Sequence, residues 1–141
     1  MPVDIRSVLH RVVDEVFDDV SFGKMADDDE APRGYGIRLR NSAGAHAPER
    51  HALITANNER FGAHLLDLDV GAIRFDYDDD EVGKEAELRD LAVLVRAYLY
   101  GAGDVTYRRS LVRRRPLPVL TIDAGGIQWR LGRHVSSWLE L

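Results

Sequence analysis

The densest group of chemically capable residues is a run of carboxylates between Asp76 and Glu87. The first, third, fifth and twelfth positions of a calcium-binding loop are matched in spacing by Asp76, Asp78, Asp80 and Glu87. The sixth position, however, is Glu81 where that loop needs glycine, and the ninth is Lys84. These departures favour a strand end that leads into a charged helix N-terminus, with calcium binding as the alternative.

A second acidic run lies in the polar stretch from Lys24 to Arg33, which has no helical or strand period and is predicted to be an exposed loop. A solvated charge run is the simple interpretation of such a segment. An acidic loop also suits a basic protein surface, so both runs are predicted to bind a protein partner. The candidate partner-binding residues are Asp27, Asp28, Asp29, Glu30, Asp78, Asp79, Asp80 and Glu81.

No motif for catalysis or for metal binding is present. The histidines show no metal-ligand spacing, the serines lack a nucleophile motif, the glycines form no phosphate loop and there is no cysteine. Asp67 and Asp69 could serve acid–base chemistry, but their spacing places them on one face of an ordinary strand. We therefore expect no catalytic residue, no metal site and no cofactor, and a protein that is not an enzyme.

The charge is unevenly distributed along the 141 residues. Residues 1–104 hold 22 acidic and 12 basic residues, residues 105–141 hold 2 and 7, and the net charge is −5. Seven arginines near the C-terminal hairpin are interleaved with Tyr107 and Trp129, a pattern that single-stranded nucleic acids can bind. The acidic bulk favours intramolecular or protein-facing roles for these arginines, so no nucleic-acid partner is expected.

The composition indicates a globular protein, with 45% hydrophobic and 30% charged residues. This length predicts a single domain over residues 1–141. There is no apolar run of transmembrane length and no secretion signal pattern, so we expect a cytoplasmic protein without a membrane partner. The 17 arginines against 2 lysines are typical of GC-rich bacteria.

Helical periodicity is strongest from Asp4 to Val20, where apolar residues recur at three- and four-residue spacing. A second helix is predicted after the caps and favourable charges of Asp78 to Glu81, and Gly101 and Gly103 are expected to end it. Its predicted buried face is Leu88, Leu91, Ala92, Val95, Tyr98, Leu99 and Ala102. The C-terminal spacing allows a short helix around Val135 to Leu139.

Strands are predicted around Tyr35 to Leu39, His51 to Thr55, Phe61 to Leu68 and Ile73 to Tyr77. In the last of these, we predict that Ile73, Phe75 and Tyr77 point inward. Three more strands are predicted at Val105 to Leu111, Leu117 to Ile122 and Ile127 to Leu131, the last two joined by a glycine-containing hairpin loop. The order predicts an α+β fold, with a mainly antiparallel sheet on which an N-terminal and a central helix pack.

The segment LAVLVRAYLYGAGDVTYRRSLVRRRPLPVL, residues 91–120, carries a helix ending in Tyr-Leu-Tyr-Gly, a strand with basic residues and a proline. The matching residues are Tyr98, Leu99, Tyr100, Gly101, Val105, Arg109 and Pro116. The segment resembles the immunity proteins of bacterial polymorphic toxins, in particular the immunity factor of the tuberculosis necrotizing toxin. The resemblance implies an inhibitor that binds the catalytic domain of a secreted toxin. The alternatives are a secretion-chaperone-like or adaptor module that binds an effector segment as a dimer, and an enzyme without a recognisable motif.

Overall fold

The computed structural model describes residues 3–18, 22–27, 34–41, 49–78, 80–109 and 116–132. The first helix, α1 (Ile5–Val16), confirms the predicted N-terminal helix, although it ends four residues before Val20. Asp4 caps it, because its carboxylate accepts hydrogen bonds from the backbone N–H and the hydroxyl of Ser7. Its apolar stripe is buried at Ile5, Val8, Leu9, Val12, Val13 and Val16.

Five antiparallel strands follow in simple meander order. They are β1 (Phe22–Asp27), β2 (Tyr35–Asn41), β3 (Arg50–Ala56), β4 (Arg60–Leu65) and β5 (Val70–Phe75). The prediction of a loop from Lys24 to Arg33 is wrong for the residues up to Asp27, which pair with β2. Pairing with β2 satisfies the backbone groups of this polar segment that face β2. The sequence of the segment does not predict this pairing, because it depends on a partner strand elsewhere in the chain.

The predicted orientation of β5 is inverted. Val70 and Ala72, opposite Leu65 and Ala63 of β4, belong to the hydrophobic core. Ile73 is only half-buried, while Phe75 is 41% and Tyr77 70% exposed. Because side chains alternate with period two along a strand, a displacement of one residue moves every side chain to the other face.

The second helix, α2 (Glu81–Leu99), begins at the cap Asp80 and is followed by Gly101 and Gly103, both with positive φ. Every residue of its predicted buried face is buried except Ala102, which is half-buried. Leu94 and Lys84 are also buried, because α2 packs against α1, against β3 and β4, and against a second sheet. The central helix is therefore enclosed on several sides.

The second sheet contains β6 (Asp104–Arg108), β7 (Leu117–Ala124) and β8 (Ile127–Leu131). The predicted hairpin is confirmed, and its loop is the pair Gly125 and Gly126, whose φ values of 60° and 79° suit a type I′ turn. Among the described residues, a bridge between Gly71 and Gly132 joins this sheet to β5. The two helices and two antiparallel sheets confirm the α+β class, while the segment Val135 to Leu139 lies outside the described residues.

Ion pairs join the two helices on their outer side. Arg89 of α2 donates to Glu15 of α1 at 2.6 Å and to Glu85 at 3.1 Å, and Arg11 lies 3.4 Å from Glu85. Arg96 donates to the carbonyl of Val16 at the end of α1. Neither described helix is long and apolar enough to cross a membrane.

Candidate functional site

An exposed aromatic pair lies where β5 leads into α2. The rings of Phe75 and Tyr77 are stacked, with centroids 5.7 Å apart and planes 10° from parallel. Val82, in the first turn of α2, is 73% exposed. Three large apolar side chains are thus exposed within eight residues, and we call residues 75–78 and 80–82 the β5–α2 corner.

Short hydrogen bonds to carboxylates fix the backbone of the corner. The carboxylate of Asp76 accepts from the backbone N–H of Asp78 at 2.9 Å, and that of Asp80 accepts from Val82 N–H at 3.1 Å. These are the turn and helix-cap geometries that aspartate favours. These two hydrogen bonds constrain the backbone next to Tyr77 and at the start of α2.

The predicted partner-binding residues are only partly described. Asp78, Asp80 and Glu81 are exposed in the β5–α2 corner, beside the aromatic pair along the chain. Asp27 is the last residue of β1, and Asp28, Asp29, Glu30 and Asp79 lie outside the described residues. The structure therefore places three of the eight predicted residues in one exposed segment. The aromatic residues were missed as site candidates because the predicted orientation of β5 pointed them inward.

The calcium-loop spacing does not assemble a calcium site among the described residues. Asp76 and Asp80 accept backbone hydrogen bonds, and Glu87 pairs with Arg74 of β5 at 3.1 Å. No group of three metal-binding side chains occurs in the described ranges. The favoured interpretation, a strand end followed by a charged helix N-terminus, is confirmed.

Lys84 anchors the corner from beneath. It is 3% exposed, and its Nζ donates to the carbonyls of Asn58 at 2.5 Å and Asp76 at 2.8 Å. The same ammonium lies 5.9 Å from the ring centroid of Phe61. A buried cation needs such partners, because its desolvation is costly. The sequence around Lys84 does not predict that this side chain is buried, because its partners lie outside α2.

A second polar cluster surrounds Asp67 at the other end of α2. Its carboxylate accepts from the backbone N–H of His51 at 2.7 Å and from the hydroxyl of Tyr98 at 2.8 Å, and lies 3.1 Å from Nδ1 of His51. Asp67 and Asp69 lie in the turn between β4 and β5, so the prediction that they share a strand face is wrong. The chain leaves β4 after Leu65, and Asp69 adopts a positive φ that a strand does not allow.

These contacts shift the pKa values of Asp67 and Tyr98 in opposite directions. Partial burial alone raises the pKa of Asp67, but the hydrogen bonds from His51 and Tyr98 outweigh it and lower the pKa below its ordinary value of 3.8. Burial and the neighbouring Asp67 carboxylate raise the pKa of Tyr98 far above its ordinary value. At neutral pH the Tyr98 hydroxyl is therefore protonated and donates to an ionised Asp67 carboxylate.

The contacts of the Asp67 cluster connect β3, the β4–β5 turn and the end of α2. Nδ1 of His51 faces Asp67, and its Nε2 lies 3.6 Å from the carboxylate of Glu49. Arg50 donates to the carbonyls of Tyr98 and Ala102 and stacks 4.7 Å over the Tyr98 ring. The described contacts of His51 therefore join β3 and the β4–β5 turn.

The two aromatic residues of the basic C-terminal pattern, Tyr107 and Trp129, differ in exposure. Tyr107 is 68% exposed, whereas Trp129 is 8% exposed and lies beneath the guanidinium of Arg74 at 4.7 Å. Trp129 is thus part of the core and offers no surface for base stacking. Arg113 to Arg115 and Arg133 lie outside the described residues.

A scan against protein-family models finds no match, and searches of curated proteins and of solved structures find no similar protein.

Proposed function

We propose that the protein is an inhibitor of the immunity type, which binds the catalytic domain of a toxin through the β5–α2 corner. The observation that carries the proposal is the exposed, stacked pair Phe75 and Tyr77 beside the acidic start of α2. In the proposed setting the protein acts in the cytoplasm of the bacterial cell that produces the toxin and protects that cell.

The aromatic pair has the properties of an interface anchor. Tyrosine and other aromatic side chains contribute disproportionately to binding energy, because they bury a large area at a small entropic cost. Tyr77 at 70% exposure has most of its surface left to bury. The carboxylates of Asp76 and Asp80 accept backbone hydrogen bonds from Asp78 and Val82, which reduces the ordering that binding must still impose on this segment.

The surrounding charge favours a basic partner surface. Asp78, Asp80 and Glu81 are exposed and follow the aromatic pair closely in the chain, while one exposed cation, Arg60, lies across from Phe75 in register. Complementary charges accelerate association and exclude wrong partners more than they raise affinity. A catalytic cleft lined by arginine or lysine, such as one that binds a phosphate-bearing substrate, fits this surface and would be blocked by it.

Affinity capture with matched variants tests the proposal. Tagged wild-type protein, Tyr77→Ala and Tyr107→Ala are each used to capture partners from the native lysate, with identification by mass spectrometry. Tyr107 is an equally exposed tyrosine on β6, at 68% against 70% for Tyr77. We expect wild type and Tyr107→Ala to recover the C-terminal domain of a large secreted protein in equal amounts, and Tyr77→Ala to recover at least about tenfold less.

Toxicity provides the functional readout. The recovered domain, expressed alone, should arrest growth, and coexpression of the wild type or Tyr107→Ala should restore it while Tyr77→Ala does not. Light scattering separates the chaperone-like alternative, because an immunity protein of this kind can remain monomeric whereas that alternative is a dimer. A dimer that captures many unfolded clients, or capture of a toxin domain unaffected by Tyr77→Ala, contradicts the proposal.

A further inference from the structure

The β5–α2 corner carries two kinds of group side by side. Phe75 and Tyr77 form a stacked aromatic pair, with ring planes 10° from parallel. The acidic residues Asp78, Asp80 and Glu81 follow in the chain and are exposed. A strand of nucleic acid also presents planar rings beside closely spaced negative charges, its bases and its phosphates.

The aromatic rings remain accessible although they stack on each other. Tyr77 is 70% exposed and Phe75 is 41% exposed. In a single strand the faces of the bases are available for stacking on aromatic side chains of a protein, whereas neighbouring base pairs cover them in a duplex. The exposed ring of Tyr77 therefore corresponds to a base of a single strand and has no counterpart on a duplex.

Two carboxylates of the corner are held close together. A β-carbon on Gly83 would lie 2.6 Å from Oδ2 of Asp76 and 3.4 Å from Oδ2 of Asp80, so both oxygens lie beside the same point of the first turn of α2. The backbone N–H groups of Asp78 and Val82 donate to these two carboxylates and offset their repulsion. A nucleic-acid strand likewise carries closely spaced charges, one about every 3.4 Å.

The neighbouring β3–β4 turn adds no net charge to the corner. The backbone N–H of Asp76 donates to the carbonyl of Glu59, which places this turn beside the corner. Arg60 lies across from Phe75 in register, but Glu59 precedes it, and both charged residues are exposed. Lys84 is buried beneath the corner. The exposed charge of the corner is therefore acidic.

The width of the corner favours an open groove over an enclosed pocket. The corner includes the first turn of α2, and a helix with its side chains is about 10–12 Å across. An enclosed pocket for one nucleotide excludes an element of this width. A groove that binds a single strand is open along its length and combines basic side chains with aromatic platforms, which complement carboxylates and an exposed ring.

We propose that the partner of the β5–α2 corner is a toxin domain that acts on single-stranded nucleic acid, and that the corner occupies the groove for the strand. Tyr77 stacks on an aromatic side chain of the groove in place of a base. Asp78, Asp80 and Glu81 pair with arginines and lysines of the groove in place of phosphates. This inference rests on the proposed function, because it names the substrate class of the toxin that the corner blocks.

Release of the captured domain by defined competitors tests the inference. The domain that the wild type retains and Tyr77→Ala does not is challenged with oligouridylate and oligodeoxythymidine of about 20 nucleotides, longer than the site of one single-strand-binding domain. The matched competitors are a duplex of the same length and ATP, at equal phosphate concentration and ionic strength. We expect one of the single strands to release the domain at least about tenfold more efficiently than the duplex or ATP.

The other outcomes separate the two proposals. Release by ATP that equals release by the single strands would indicate a small phosphate-bearing substrate, and stronger release by the duplex would indicate a duplex-binding cleft. Either result overturns the inference and leaves the proposed function intact. Capture that does not depend on Tyr77 contradicts the proposed function, and the inference with it.

Matched substitutions and activity provide a second test. Asp78→Lys should raise the Kd for the captured domain about tenfold and reduce the salt dependence of binding, as the loss of a phosphate contact does. Asp104→Lys, at an exposed acidic residue on β6, should leave both unchanged, and amide spectra report whether each variant retains the fold. The captured domain should degrade single-stranded RNA or DNA, and one equivalent of the wild type should abolish this activity. A domain that degrades neither overturns the inference.

Discussion

Both ends of α2 are held by side chains that donate to backbone carbonyls, but the helix dipole disfavours the cation at one end and favours the donors at the other. At the N-terminal end a buried cation, Lys84, donates to two carbonyls, although the helix dipole disfavours positive charge there. At the C-terminal end Arg50 and Asn41 donate to the carbonyls of the last turn, as the dipole favours. The carboxylate of Asp67 completes this end through Tyr98.

This difference predicts how much stability is lost when the polar contacts at each end of α2 are removed by substitution. The N-terminal end depends on a single ammonium that has already lost its water, so its removal leaves two carbonyls without their donor. The C-terminal end distributes its contacts over several side chains. Asn41 and Tyr98 among them are buried, but Asp67 and Arg50 are partly exposed, so water can partly replace the contacts that these two lose.

The largest effect is expected at the N-terminal end. Lys84→Met keeps the length and apolar stem of the side chain but removes the donor, and should lower the free energy of unfolding by about 3 kcal/mol. Urea denaturation measures the change. The control Arg11→Met removes an exposed ion pair with Glu85 and should cost less than about 0.5 kcal/mol. Equal stabilities of the two variants would contradict the buried-anchor role.

A smaller loss is expected at the C-terminal end. Asp67→Asn retains the shape of the side chain but replaces charge-assisted hydrogen bonds with neutral ones, and its amide cannot accept from all three donors of His51 and Tyr98. We expect the free energy of unfolding to fall by about 2 kcal/mol. The exposed Asp78→Asn serves as control. If Asp67→Asn lowered the free energy of unfolding more than Lys84→Met does, the expected order of the two ends of α2 would be wrong.

The contribution of Asp67 should also depend on pH. Its pKa is lowered in the folded protein, so its stabilisation is fully present above the unfolded value of 3.8 and is lost as the pH falls through the folded value. The stability difference between wild type and Asp67→Asn should therefore shrink as the pH falls below 3.8. A difference that does not shrink below that pH would show that ionisation of the carboxylate does not stabilise the fold.

The smallest effect is expected for the hydroxyl of Tyr98. Tyr98→Phe removes one hydrogen bond to Asp67 and leaves the ring beneath Arg50, so it should cost about 1 kcal/mol. The double variant with Asp67→Asn measures whether the two groups act together. Because they share one hydrogen bond, the double variant should lose less than the sum of the single losses, and strict additivity would argue against that bond.

Much of the secondary structure was predictable because its signals are local. The three-four spacing of α1, the caps among Asp78 to Glu81, the glycines after α2 and the Gly125–Gly126 hairpin depend on neighbouring residues only. The acidic start of α2 was also predicted as a candidate site from its charge. The aromatic pair beside it was not, because an alternating strand shows which residues share a face but not which face is buried.

The sequence by itself determined the two described helices, every described strand except β1, the limits of α2, the tight hairpin and the uneven charge. Only the tertiary structure decided that β5 turns Phe75 outward, that Lys84 is buried and that Asp67 contacts both His51 and Tyr98. The physical reason is that backbone propensity and capping act within a few residues. Burial and ion partners depend instead on segments far apart in the chain, such as α2 and the β4–β5 turn, that meet only on packing.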